Sequence, residues 1–335
     1  MNKKWLALLL CIVFAVGIFS ECSFASKKIR IGFALPTQAT DRWVRDEKFA
    51  QSYCKKLGIN LISQFANEDA SRQLSQCENL ISQGVDVLIV AAQDSTSAAA
   101  IVESAHKAHI PVVAYERIIL NSNPDVLVQF DNEKVGAQQA QYVLEHAPKG
   151  NYVILGGGGN DANSVVFHKG QMSAIQNAVN SGNIKIVMDQ YVTNWDASVA
   201  LRLMENALTS ANNHIQGVIA TNDDIAGAAI EAMAAQGLSG IPISGQDATL
   251  GAVKRILKGT QSMTIYKDTS KLSKAAIDQA IKLAKGQPVD YDTKVNNGYS
   301  EPIKTLSMQA TVITAKNIDV LIKTGYYTHK DIYGK

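Results

Sequence analysis

The sequence predicts an α/β protein built from two doubly wound parallel-sheet lobes joined by hinge strands. Three features point there. Apolar, β-branched runs alternate with helical patterns along nearly the whole chain, the alternation restarts midway, and no Pro-rich, low-complexity or heptad tract separates the halves. At 335 residues, two domains are the ordinary expectation. The 32 Lys+Arg against 30 Asp+Glu give a formal net charge of +2, and no basic stripe marks a nucleic-acid binder. With 46% hydrophobic and 19% charged residues, the chain is too apolar for a disordered protein and too polar for a multi-span membrane protein.

Residues 1–25 read as a secretory signal peptide. Lys3 and Lys4 precede an apolar run of 15 residues (5–19), and Ser23 and Ala25 stand at the −3 and −1 positions of a cleavage site. The run is short for a membrane span. Lipid attachment at Cys22 is the weaker alternative, because Glu21 stands where such sites need a small residue. The mature protein is therefore expected to work outside the cytoplasm.

Strands are predicted over 29–35, 59–64, 85–91, 111–115 and 126–130, with helices over 42–57, 71–83 and 95–108 between them. The stretch 85–91 is almost continuously apolar, as a strand buried on both faces should be. The rhythm restarts with a helix over 134–146, a strand over 152–155 and a helix over 167–180. Further strands fall over 184–191, 218–220, 241–244 and 263–266, with helices over 197–209, 225–236 and 250–257. A helix over 272–285 leads into a poorly patterned stretch, 286–302, then a strand over 303–314 and a short helix over 317–323. This divides the chain into an N-terminal lobe, 26–131 plus about 267–297, and a C-terminal lobe, 132–266 plus about 298–335. Once the signal is removed, Cys54 and Cys77 remain, on the first and second helices. In a doubly wound sheet these helices cover opposite faces, so both cysteines are expected as free thiols despite the oxidising compartment.

Ligands of open parallel sheets bind beyond the carboxyl ends of the strands. The residues that follow the predicted strands include Gln38, Arg42, Trp43, Glu116, Arg117, Asp161, Asn163, Trp195, Asn222, Gln246, Asp247 and Lys267. The set mixes carboxylates, amides, cations and two tryptophans, without a thiol or histidine. Such groups suit a neutral polyhydroxyl ligand, whose hydroxyls donate to carboxylates and accept from Arg, Lys or Asn while C–H faces lie on indoles. Arg42, Arg117 and Lys267 balance Glu116, Asp161 and Asp247, which gives no reason to expect an anion. Asp196 and Asp223 read more simply as helix N-caps.

Several stretches carry a resemblance: D-R-W at 41–43, A-Y-E-R at 114–117, F-D-N-E-K-V-G at 130–136, T-N-D at 221–223, I-S-G-Q-D-A at 243–248, G-T-Q-S-M-T-I-Y-K at 259–267 and N-N-G at 296–298. On these the mature chain resembles the periplasmic sugar-binding proteins of type I fold that serve ABC transporters. The resemblance implies a periplasmic, monomeric receptor that binds a monosaccharide, D-xylose above others, and delivers it to a membrane permease. It implies neither catalysis nor a cofactor or metal. Arg42 and Arg117 match the family's sugar-binding arginines, and Trp195 a ring-stacking tryptophan. Asp161, Asn163, Asn222, Asp247 and Lys267 match its remaining polar contacts. Trp43 is expected as a second stacking wall. Glu116 departs from the pattern, where an aspartate is usual, and its carboxylate reaches one methylene further. Hinges are expected near 131–132, 267–268 and 296–298.

The alternatives are a receptor for another aldose (ribose, glucose or galactose), a chemotaxis sugar sensor and, from another class, an NAD-binding oxidoreductase. Gly157-x-Gly159-x-x-Ala162 formally fits the dinucleotide fingerprint, but Asp161 would sit beside the pyrophosphate. Glu103, His106 and His109 have metal-like spacing but lie near a helix C-terminus, where histidines serve as dipole partners. Glu116 and Asp161 could be forced into a glycosidase pair.

Overall fold

The computed structural model describes residues 28–334, so the expected signal peptide and Cys22 lie outside the described residues. The chain opens with β1 (Arg30–Leu35), α1 (Asp41–Leu57), β2 (Asn60–Phe65), α2 (Ala70–Ser82), β3 (Val87–Val90), α3 (Ala99–Lys107), β4 (Val112–Tyr115) and β5 (Val126–Phe130). These strands pair in parallel in the order β2-β1-β3-β4-β5. Strand alternation divides the core. Phe33, Val113, Tyr115 and Val128 face Trp43, Ala50 and Cys54 of α1. Ala34, Leu88, Val112 and Ala114 face Cys77 and Leu80 of α2 and Ile101 of α3. Cys54 and Cys77 therefore lie on opposite faces of the sheet, both buried and unbridged. Burial pushes their thiols up to about 11 and about 12, respectively.

The chain then crosses into a second lobe of α4 (Asn132–His146), β6 (Gly150–Gly156), α5 (Ala162–Asn180), β7 (Ile184–Tyr191), α6 (Ala197–Ser210), β8 (Gly217–Ala220), α7 (Asp223–Ala235), α8 (Leu250–Leu257) and β9 (Thr264–Tyr266). Its sheet runs β7-β6-β8. The strand expected over 241–244 is reduced to single bridges, Val218 to Ile243 and Gln246 to Ile265, which carry the layer on to β9. Helices α4 and α5 pack backbone against backbone. A Cβ on Gly170 would fall 1.9 Å from the Glu133 carbonyl oxygen, and one on Gly136 2.0 Å from that of Phe167.

From β9 the chain returns through α9 (Thr269–Ala284), which joins α1 over one face of the first sheet. Next come β10 (Thr293–Val295), β11 (Ile303–Met308), β12 (Thr311–Ile313), α10 (Asp319–Lys323) and α11 (His329–Tyr333). Two expectations need correction here. The predicted strand 303–314 is two strands: β11 lies parallel to β5 in the first sheet, with Leu306 beside Val128, while β12 lies antiparallel to β9 in the second. Residues 298–308 thus belong with the N-terminal lobe, and the third crossing falls at 309–310 rather than at 296–298. Asn297 instead ties the first lobe together, donating to the carbonyls of Ile119 (2.6 Å) and Ser122 (2.7 Å). The short strand β10, antiparallel to β11, lies within the stretch that showed no pattern.

Candidate functional site

Residues that follow β1, β4, β6, β7, β8 and the 241–244 segment meet at one cleft between the lobes. It is lined by Thr40, Arg42, Trp43, Glu116, Arg117, Asp161, Phe167, Trp195, Asn222, Gln246 and Asp247. Arg42 and Trp43 open α1, directly after β1, and Glu116 and Arg117 follow β4. From the other lobe, Asp161 and Asn222 are the N-caps of α5 and α7, accepting from the amides of Asn163 (3.0 Å) and Ile225 (2.9 Å). For these two residues capping and lining the cleft are not rivals. Asp196 caps α6 as expected. Asp223 does not cap: its carboxylate accepts from Thr249 N, Gln261 Nε2 and Thr264 Oγ1 behind the cleft, where burial pushes it up to about 7.

Arg42 sits among three carboxylates. Its Nη1 donates to Glu116 Oε1 at 3.0 Å, its Nε lies 3.5 Å from Asp46 Oδ2, and Asp247 Oδ1 stands 3.8 Å away on the opposite lobe. Arg117 donates to the Ala92 carbonyl at 2.9 Å, and its Nε lies 2.9 Å from Asp161 Oδ2, outside hydrogen-bond angles, again across the cleft. Both guanidinium groups lie against the Trp43 ring, 4.7 and 5.2 Å from its centroid. The far rim is bridged too: Ser95 N donates to the Asn160 carbonyl (3.0 Å), and Asn160 Nδ2 to that of Gln93 (2.9 Å).

Lys267 and Asn163 are buried but do not line the cleft. Lys267 Nζ donates to Glu116 Oε1 (2.9 Å) and Asn132 Oδ1 (3.0 Å), and Asn163 Nδ2 donates to the Glu116 carbonyl (2.8 Å) and, more weakly, to Oε2 (3.4 Å). The methylene that distinguishes Glu116 from an aspartate thus carries its carboxylate to Arg42 and Lys267. Against burial, which raises it, these cations bring the Glu116 carboxyl down to about 2. Burial pushes Asp161 and Asp247 up from the usual carboxylate range, and Arg117 and Arg42, respectively, draw them back.

Thr40, Phe167 and Gln246 complete the lining. Phe167 lies one turn beyond Asn163 on α5, and that spacing was its only signal. Trp195 ends a 3₁₀ turn, Thr193–Trp195, and its ring meets Phe167 edge-on at 6.4 Å. Gly157 and Gly158 are small because the indole lies on them: a Cβ on Gly157 would fall 2.2 Å from its Cη2. Of the two glycines of the dinucleotide-like motif, Gly157 therefore seats a tryptophan, while a Cβ on Gly159 would meet nothing within 4 Å. Of the metal-like trio, His106 pairs with Asp125 (3.1 Å) and Glu103 accepts from Lys107 (2.6 Å). Among the described residues, no group of three or more His, Cys, Asp or Glu is placed to hold a metal.

Six buried polar atoms on cleft residues have no hydrogen-bond partner among the described residues: Arg42 Nε and Nη2, Arg117 Nε, Trp195 Nε1, Gln246 Oε1 and Asp247 Oδ1. Four are donors and two are acceptors. Buried polar groups are normally paired, so they mark where a ligand with both hydroxyl hydrogens and lone pairs would bind.

The periplasmic binding protein domain family matches residues 31–288. A D-xylose-binding periplasmic protein of Haemophilus influenzae is 40% identical over 327 residues, 97% of this chain and 98% of that protein. Its Escherichia coli counterpart is 40% identical over 308 residues, 92% of this chain and 93% of that protein. A carbohydrate transporter solute binding protein from Chloroflexus aurantiacus, solved in complex with D-glucose, superposes with a TM-score of 0.86 at 31% identity, covering 91% of this chain and 98% of that one. Two α/β lobes, a cleft at their strand ends and similarity over nearly the full length place this chain in the periplasmic binding protein family, with the type I fold.

Proposed function

We propose that this protein binds D-xylose between its lobes in the periplasm and presents it to an ABC permease. The observation that carries this reading is the cleft's chemistry: both donors and acceptors left without protein partners, near-balanced charge and aromatic faces from both lobes. Trp43, Trp195 and Phe167 offer C–H-stacking surfaces, while the carboxylates and arginines orient ring hydroxyls. Xylose has the ring stereochemistry of glucose without the exocyclic CH₂OH, and three large aromatic side chains leave little room at the rim for that group. The 40% identical relatives named for D-xylose support the same sugar. An aldohexose is the second reading, favoured by the glucose-bound relative.

The function is binding without turnover. A glycosidase built on Glu116 and Asp161 would need one of the two free to act as base or nucleophile, and Asp161 is held by Arg117 and the Asn163 amide. Glu116 is held by Arg42, Lys267 and Asn163, and at about 2 it is a poor base. Thermal-shift screening against monosaccharides and NAD tests the reading. D-xylose is expected to raise the melting temperature and NAD to leave it unchanged. A sugar panel with no shift would contradict it.

A further inference from the structure

Asp247 and Ala248 are consecutive non-glycine residues in the left-handed half of conformational space, with φ of 92° and 46°. Such backbone persists only where surrounding groups hold it. Two tyrosines from the C-terminal segment do so: Tyr326 Oη donates to the Asp247 carbonyl and Tyr327 Oη to the Ala248 carbonyl, each at 3.0 Å. Both rings belong to the second lobe, where Tyr326 also packs against Tyr266 at 4.8 Å.

Arg45 reaches them from the first lobe. It lies one turn beyond Arg42 on α1, with its guanidinium 4.0 Å from the Tyr326 centroid and 4.8 Å from that of Tyr327. Its Nη1 donates to the Tyr326 carbonyl at 3.2 Å and its Nη2 to the Tyr327 hydroxyl at 3.0 Å. Successive turns of one helix thus grip one loop of the opposite lobe, Arg42 through the Asp247 side chain and Arg45 through the tyrosines. Arg45 and both tyrosines are absent from the cleft lining. Burial pushes the Tyr326 phenol well above its ordinary value, so its hydroxyl stays a donor.

We propose that Arg45, Tyr326 and Tyr327 form a latch beside the cleft that holds the lobes closed and fixes the Asp247 carboxylate without touching the ligand. These are positioning residues; the proposal takes its ligand from the sugar reading above. The latch acts on the closed form, so it slows ligand escape more than it speeds capture.

Stopped-flow tryptophan fluorescence with D-xylose, paired with interlobe distance measurements between probes at Lys48 and Lys254, tests it. Arg45→Ala is expected to raise the dissociation rate about tenfold and leave the association rate within about twofold, the loss of a stacked, doubly bonded cation. It is also expected to shift ligand-free interlobe distances toward the open form. Arg45→Lys should recover part of both effects. Tyr326→Phe keeps the ring beneath Arg45 but loses the bond to Asp247, so it should weaken binding with little change in those distances. An unchanged dissociation rate in Arg45→Ala would overturn the latch. If D-xylose does not bind the unmodified protein, the sugar reading falls, and the ligand-free distances alone decide the latch: a shift supports it, and none overturns it.

Discussion

Glu116 sits at φ 63° with its carboxylate buried, two features that each carry a cost. Both are sustained by the contacts that tie it to Arg42, Lys267 and Asn163, so it organises the cleft floor. Asp247 differs, because its Oδ1 has no hydrogen-bond partner and its nearest cation is 3.8 Å away. Asp247→Ala is therefore expected to weaken D-xylose binding by roughly tenfold to a hundredfold, the loss of a buried hydrogen-bond partner at about 1–3 kcal/mol. Titration of the variant against the unmodified protein checks this, and equal affinities would remove Asp247 from the site. The buried acids also set a pH profile. Burial raises Asp46 to about 6 and Asp223 to about 7, so the folded protein holds protons that the unfolded chain has released, and stability falls as pH rises through that window. His168, raised by its hydrogen bond to Asp189, acts in the same direction: its contribution is present below its ordinary value and is lost as pH rises through the raised one. Glu116, lowered to about 2, stabilises above its ordinary value, and that contribution is lost as pH falls. The ligand-free melting temperature should peak at about pH 4, where the windows of the raised and the lowered acids meet, and decline toward both 7 and 2. A melting temperature that rises steadily from pH 5 to 7 would contradict this assignment.

At the scale of elements, β1 to β5 and their helices were legible because the apolar pattern changes cleanly between periods of two and 3.6. The exceptions have physical causes. Strand β10 is three mostly exposed residues, too short and polar to show a pattern. The 303–314 run is uniformly strand-like, so nothing local marks its break between two sheets. Phe167 reads as an ordinary core position of α5, since one face of that helix packs on α4 while its first turns reach the cleft. That packing depends on Gly136 and Gly170. Gly170→Ala would place a methyl 1.9 Å from the Glu133 carbonyl oxygen, which neither helix can accept without moving. A loss of about 1–3 kcal/mol in denaturant unfolding is expected, with weaker sugar binding because α5 carries Asp161 and Phe167. An unchanged unfolding midpoint would show that the helices separate freely.

For the whole molecule, parallel topology brings the carboxyl ends of β1, β4, β6, β7 and β8 to the cleft, which is the edge the sequence reading singled out. Eight of the ten expected site residues line the cleft: Arg42, Trp43, Glu116, Arg117, Asp161, Trp195, Asn222 and Asp247. Lys267 and Asn163 stand one layer behind because depth below a surface depends on partners distant in sequence. Glu116, which covers both, is 151 residues from Lys267 and 47 from Asn163. The third crossing between lobes was misplaced for a similar reason, since the pairing of β11 with β5 joins segments far apart in the chain. The central claim is that this cleft selects D-xylose. Titration calorimetry of the mature protein with D-xylose, ribose, arabinose and glucose tests it most directly. D-xylose is predicted to bind tightest with one site per chain, and glucose or ribose binding tighter than xylose would contradict that claim.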